Sequence, residues 1–112
     1  MKVKTITSLS GDPPGYGCQI SWYDNIIFIE GFSANSILKS NGAVVGDIIE
    51  SVSSCVTNEV LKGSNFDDLL AFTNALGKLP RPVVFELVEP DSHTNGIDSI
   101  VKSSIALNSL FI

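Results

Sequence analysis

Apolar and polar positions alternate through the first third of the chain. Val3, Thr5 and Thr7 alternate with Lys4 and Ile6, the period of a strand. The cluster GDPPG (11–15) ends that strand, because proline cannot donate to a sheet ladder and glycine relaxes backbone sterics. Beyond it, Cys18, Ile20 and Trp22 share one face of a second strand, with Gln19, Ser21 and Tyr23 on the other. Asp24 and Asn25 signal a turn, and IIFIEGF (26–32) reads as a third, strongly apolar strand. SANSILKS (33–40) predicts one or two helical turns, capped by Ser33 or Asn35 and stopped by Asn41 and Gly42.

VVGDIIESV then sets a Gly-Asp turn directly before a strand over 48–52; CVT (55–57) adds a short strand, and NEVLKGSN (58–65) reads as a loop. The clearest helix is SNFDDLLAFTNALGK (64–78), with Ser64 or Asn65 as cap and Asp67 and Asp68 in the first turn, where the helix dipole favours carboxylates. Phe66, Leu69, Leu70, Phe72, Thr73 and Leu76 spread over about half of its wheel, wider than a stripe facing a core alone. LPRP (79–82) breaks the chain, and VVFELVE (83–89) alternates as a last strand. The pattern predicts an α+β fold of five to six mostly antiparallel strands and two helices. The tail from Pro90 onward differs in composition: Ile97, Ile100, Val101 and Ile105 can share a helical face, against a Ser-rich, β-branched background that lowers helix propensity.

At 112 residues the chain fits one domain, and 44% hydrophobic with 17% charged residues marks it as globular. A net charge of −5 with only seven scattered Lys and Arg argues against nucleic acid or an anionic membrane surface as partner. No run approaches the roughly 18 apolar residues of a membrane span, and the first ten residues lack the apolar centre of a signal peptide, so a cytoplasmic location is expected. Cys18 and Cys55, far apart and outside any metal-ligand pattern, read as plain thiols in a reducing compartment.

The residues offer little to an enzyme. The one histidine, His93, lies in the polar stretch DSHTNG without apolar shelter, which argues against histidine-based triads and multi-histidine metal sites. Asp67 and Asp68 are adjacent and would diverge by about 100° on a helix. GYGCQI (15–20) lacks the third glycine and the following helix of a dinucleotide fingerprint, and no phosphate-loop motif is present. No catalysis, cofactor or metal is expected.

The order strand, Gly-rich loop, two strands, short helix, Gly-Asp turn, strand, long helix, strand resembles a PDZ domain over about residues 2–89. Gly15-Tyr16-Gly17-Cys18 resembles that family's carboxylate-binding loop, NGAVVGDIIESV (41–52) its Gly-x-x-x-Gly-Asp-x-Ile segment, and NFDDLLAFTNAL (65–76) stands where its groove-lining helix belongs. The resemblance implies a small, partly open barrel or sandwich over residues 1–90 and a C-terminal extension, helical or flexible, over 91–112. It implies a non-catalytic scaffold or targeting module that binds the C-terminal peptides of other proteins by adding them as a strand beside the second strand.

On that pattern the amides of Tyr16, Gly17 and Cys18 would hold the ligand carboxylate, and Gly15, Gln19, Ile20, Ser21, Trp22, Phe66, Leu70 and Thr73 would form the groove. Phe66 and Leu70 would face the ligand from one helical turn, while Leu69, Phe72 and Leu76 fill the core. Phe66, at a place where many family members carry histidine, implies preference for hydrophobic Φ-x-Φ carboxyl termini. Where the family carries a basic residue before the loop, this chain has Gly11-Asp12-Pro13-Pro14, leaving Lys4 or Lys39 to supply positive charge. The sequence ends on Leu110-Phe111-Ile112, itself Φ-x-Φ, so self-association through these residues is expected, in the chain's own groove or a neighbour's. Alternatives are a regulatory domain of a larger enzyme, such as a serine protease, and a structural or oligomerising domain with a degenerate groove.

Overall fold

The computed structural model describes residues 2–8, 15–23, 25–89 and 109–112. The Asp12-Pro13-Pro14 entry, Asp24, His93 and the candidate tail helix around 97–105 lie outside the described residues. The strands are β1 (Lys2–Ser8), β2 (Cys18–Tyr23), β3 (Ile26–Phe32), β4 (Ile48–Ser54), β5 (Val60–Lys62), β6 (Val83–Glu89) and β7 (Ser109–Phe111). They form one antiparallel sheet in the order β1-β6-β4-β3-β2-β7, with β5 hydrogen-bonded to β4. Two helices, α1 (Ile37–Ser40) and α2 (Leu69–Gly77), and a 3₁₀ turn (Gly63–Asn65) complete the described fold.

The α+β class is as the pattern predicts, and four local readings are corrected. Residues 55–57 form a turn rather than a strand: the Ser54 hydroxyl accepts from the amides of Val56 (3.1 Å) and Thr57 (3.3 Å), and Asn58 takes positive φ (61°), so the chain reverses. The expected loop at 58–65 accordingly contains β5, the return arm of that hairpin. The long helix starts later than 64 because Asp68 is its cap, accepting from the Ala71 amide at 2.8 Å. The cap of α1 is Ser36, not Ser33 or Asn35. Within the expected extension, residues 109–111 are a strand, which adds β7 to the five or six anticipated.

The core lies between the inner face of the sheet and α2. Ile20, Ile27, Ile29, Val52, Phe85 and Leu87 are buried from the strands, and Leu69, Phe72 and Leu76 from the helix. Those helical positions at i, i+3 and i+7 lie on one face, as close packing against a sheet requires. Phe72 meets Phe66 edge-on with ring centroids 5.3 Å apart.

The Gly46-Asp47 turn is tied to two strands at once. Gly46 (φ 98°) donates to the Ile29 carbonyl at 2.8 Å and the Ile29 amide donates to that of Asp47 at 2.9 Å. The fully buried Asp47 carboxylate accepts from the Val44 amide and from Lys4 of β1, both at 3.0 Å, and Lys4 also reaches Glu89 at 3.3 Å. Burial alone would lower the Lys4 pKa, but the hydrogen bonds and charges of Asp47 and Glu89 outweigh it and raise it above the ordinary 10.5.

A group protonated more tightly in the folded chain contributes stability that is complete below its unfolded pKa and is lost as pH rises through the folded value. The unfolding free energy is therefore expected to fall on the alkaline side of about pH 10.5, and Lys4→Met, which leaves Asp47 buried without its cation, to cost about 3 kcal/mol at pH 7. Urea unfolding of both proteins from pH 7 to 11 measures each effect; an alkaline decline of equal size in Lys4→Met would exclude Lys4 as its source.

Candidate functional site

The loop before β2 is shaped by one glycine and the start of α1. Gly17 has φ 71°, and a Cβ there would lie 2.7 Å from both Ser33 Oγ and Ser36 Cα, so neither the conformation nor the space admits a side chain. The outward carbonyls of the loop are bound by the residues it packs against. Ser36 Oγ donates to the Tyr16 carbonyl at 3.1 Å while accepting from the Lys39 amide at 3.2 Å, and the Ser33 amide donates to the Gly17 carbonyl at 2.9 Å. With these carbonyls held on one side, the amides of Gly17 and Cys18 turn to the other and, with that of Tyr16, converge as in an anion-binding nest.

The main-chain oxygen of Ile112 occupies the focus of those amides. It accepts from Tyr16 and Gly17 at 3.0 Å each and from Cys18 at 3.5 Å, while the Ile112 amide donates to the Cys18 carbonyl at 2.8 Å. From there β7 runs antiparallel beside β2 in the register Gln19↔Phe111, Ile20↔Leu110 and Ser21↔Ser109. Leu110 and Ile112 are half-buried against the core, whereas Phe111 between them is 65% exposed. Alternate side chains enter the groove and alternate ones leave it, the period-2 rule of a strand.

A small cavity beside Ile112 is lined by Tyr16, Thr73, Leu76, Gly77 and Phe111. Gly15 is exposed, and a Cβ on it would be 3.9 Å from the Ile112 oxygen. Ile20 and Ser21 are buried in β2, and Gln19 is half-buried. Trp22 is half-buried, and its indole Nε1 donates to the Phe66 carbonyl at 2.9 Å. That bond holds Phe66 in extended backbone (φ −110°, ψ 133°) ahead of α2, so Phe66 and Leu70 do not share a helical turn facing the ligand strand. Leu70 is 62% exposed and lies outside the lining of the Ile112 cavity; Thr73, Leu76 and Gly77 supply the helical wall. Thr73, expected in the groove, lines this cavity, and the helix begins later than expected, with its cap at Asp68 instead of Ser64 or Asn65.

Electrostatics at the loop differ from both sequence expectations. Lys4 is engaged with Asp47 and Glu89, and Lys39 projects from the exposed side of α1. The cation beside the loop is Arg81, whose guanidinium carbon stands 4.4 Å from the centroid of the Tyr16 ring, within the range of a cation–π contact. Phe85 meets the same ring edge-on at 4.9 Å. Burial, reinforced by the Asp47 charge, pushes the Cys18 thiol up to about 12, so it stays protonated and unreactive at neutral pH. The sequence reading passed over Ser36, Gly77 and Arg81, and placed Leu76 in the core, where it is buried while also lining the cavity beside Ile112. A capping Ser three residues before Lys39 was a visible signal for Ser36.

Gly17→Ala is expected to destabilise the fold by at least about 2 kcal/mol, combining the left-handed penalty with the contact on Ser36. Ser36→Ala, which removes a helix cap and strands the Tyr16 carbonyl, is expected to cost about 1 to 2 kcal/mol. Chemical denaturation of the two variants tests both, and a neutral Gly17→Ala would show that the loop tolerates a different shape.

No protein-family model matches the sequence, and neither does any curated protein. Among solved structures, the chain is similar to the PDZ domain from choanoflagellate GIPC (mbGIPC), with TM-score 0.60 and 21% identity over 82% of this chain and 95% of that one. It is also similar to the same domain bound to GAIP peptide, with TM-score 0.58 at the same identity and coverage. The fold of this chain is PDZ-like.

Proposed function

We propose that this chain is a non-catalytic peptide-recognition module that captures hydrophobic carboxyl termini by adding them as a strand to β2. The observation that carries this reading is the convergence of the Tyr16, Gly17 and Cys18 amides on one main-chain oxygen, that of Ile112, at the end of an antiparallel strand. Main-chain hydrogen bonds along β2 supply sequence-independent affinity, and the pockets for alternate side chains supply selectivity. The peptide seen with the choanoflagellate domain supports the same use of the fold.

The selectivity is for Φ-x-Φ. The last and third-last positions are the ones that enter the apolar groove, occupied here by Ile112 and Leu110, and the intervening position faces solvent. The last residue shares a small cavity with Tyr16, Leu76 and the methyl-bearing Thr73. Arg81, stacked on the ring of Tyr16, supplies the positive field that an incoming carboxylate requires, in place of a basic residue ahead of the glycine loop. Such a module serves in scaffolding or targeting, and its two free thiols suit a reducing compartment such as the cytoplasm.

Isothermal titration with peptides ending Φ-x-Φ, S/T-x-Φ and amidated Φ-x-Φ tests the reading. The free-acid Φ-x-Φ peptide is expected to bind tightest and the amidated one at least about tenfold more weakly; equal affinity for the amide would remove the carboxylate role. Arg81→Gln is expected to weaken the free acid about two- to fivefold and to flatten its salt dependence.

A further inference from the structure

The ligand strand already in the groove belongs to the chain itself. We infer that residues Ser109–Ile112 are an intramolecular ligand that competes with external carboxyl termini, so that the module opens only to partners able to displace its own tail. This rests on the peptide-binding reading of the groove and goes beyond it by naming the competing occupant.

The contact has the features of a docked ligand. Three donors meet the Ile112 oxygen, the Ile112 amide returns a bond to Cys18, and three residue pairs continue in register along β2. The buried-exposed-buried sequence of Leu110, Phe111 and Ile112 matches the groove it lies in. The same chain can make this contact with itself, because 19 residues, 90–108, separate β6 from β7. A connection of that length reaches at most roughly 65 Å, beyond the 37 Å longest dimension of the molecule.

Tethering turns docking into an intramolecular event. A tethered ligand acts at an effective concentration on the order of 1 mM, and a peptide of this type binds with an intrinsic dissociation constant of about 10–100 µM. The groove is then mostly self-occupied, and the apparent affinity for an added peptide is lowered by roughly 10- to 100-fold, in proportion to the free fraction. Partners that present several carboxyl termini, or that fill the groove better than Leu-Phe-Ile, pass this threshold.

The experiment compares the 112-residue chain with its Leu110→Asp/Ile112→Asp variant, which alters only the tail, and with a form extended by a few residues after Ile112, which moves the free carboxylate. Each is titrated with a free-acid Φ-x-Φ peptide, and amide NMR shifts of Tyr16, Gly17 and Cys18 are followed without peptide. The expected result is at least about tenfold tighter peptide binding by both altered chains, with shifts at all three amides relative to the unaltered one. Equal peptide affinity in all three chains overturns the self-ligand while leaving the peptide-binding reading intact. Failure of every chain to bind any peptide, with folding verified by the NMR spectrum, overturns that reading and the inference with it. A masking effect that disappears on dilution, alongside concentration-dependent dimerisation, overturns the intramolecular form in favour of a second copy as occupant.

Discussion

The packing of Gly17 against the first turn of α1 is the constraint on which the site depends. Backbone meets backbone there, since a Cβ on Gly17 would sit 2.7 Å from Ser36 Cα. The closeness lets Ser36 and the Ser33 amide take the carbonyls of Tyr16 and Gly17. A peptide unit whose carbonyl is bound on one side has its amide fixed on the other, so the Gly17 and Cys18 donors are oriented by the fold itself. Pre-oriented donors cost little to use, which is how a small groove obtains affinity from a few hydrogen bonds. The rest of the fold supports that arrangement: Lys4 and Asp47 join β1 to the turn ahead of β4, and the β3–β4 connection carrying α1 is thereby set against the loop.

Much of this was legible in the sequence because it is local. The alternation at Cys18, Ile20 and Trp22 marked β2, and the run at 83–89 marked β6, since a strand's period is written in its own residues. The glycine loop was legible because a positive φ favours glycine, and Gly17 provides it. The Φ-x-Φ character of the last residues was likewise plain.

The start of α2 was not legible, and the reason is physical. Ser64, Asn65 and Asp68 are all competent caps, and local chemistry ranks them equally. The choice is made by Trp22, 44 residues away, whose indole bond keeps Phe66 extended. A helix start set by a long-range hydrogen bond leaves no periodic trace; of Phe66, Leu70 and Thr73, expected along the groove, Thr73 lines the cavity beside Ile112, together with Leu76 and Gly77. The cation at the loop was hidden for the same reason: Arg81 is 65 positions from Tyr16 in sequence and meets it only because β6 places Phe85 and its approach beneath that ring. The turn at 55–57 failed differently, because β-branched Val56 and Thr57 favour a strand until the Ser54 hydroxyl takes their amides.

A strand edge able to accept any peptide backbone is also a template for aggregation, since its unpaired N–H and C=O groups accept a second molecule's strand as readily as a partner's tail. In this fold the edge of β2 that would be exposed is covered by β7. The chain's own residues therefore give colloidal protection to the surface that the proposed recognition would need open. Solubility and the proposed receptivity oppose one another at a single row of hydrogen bonds, and a sequence drift that loosened the tail would raise the tendency to self-assemble into sheets.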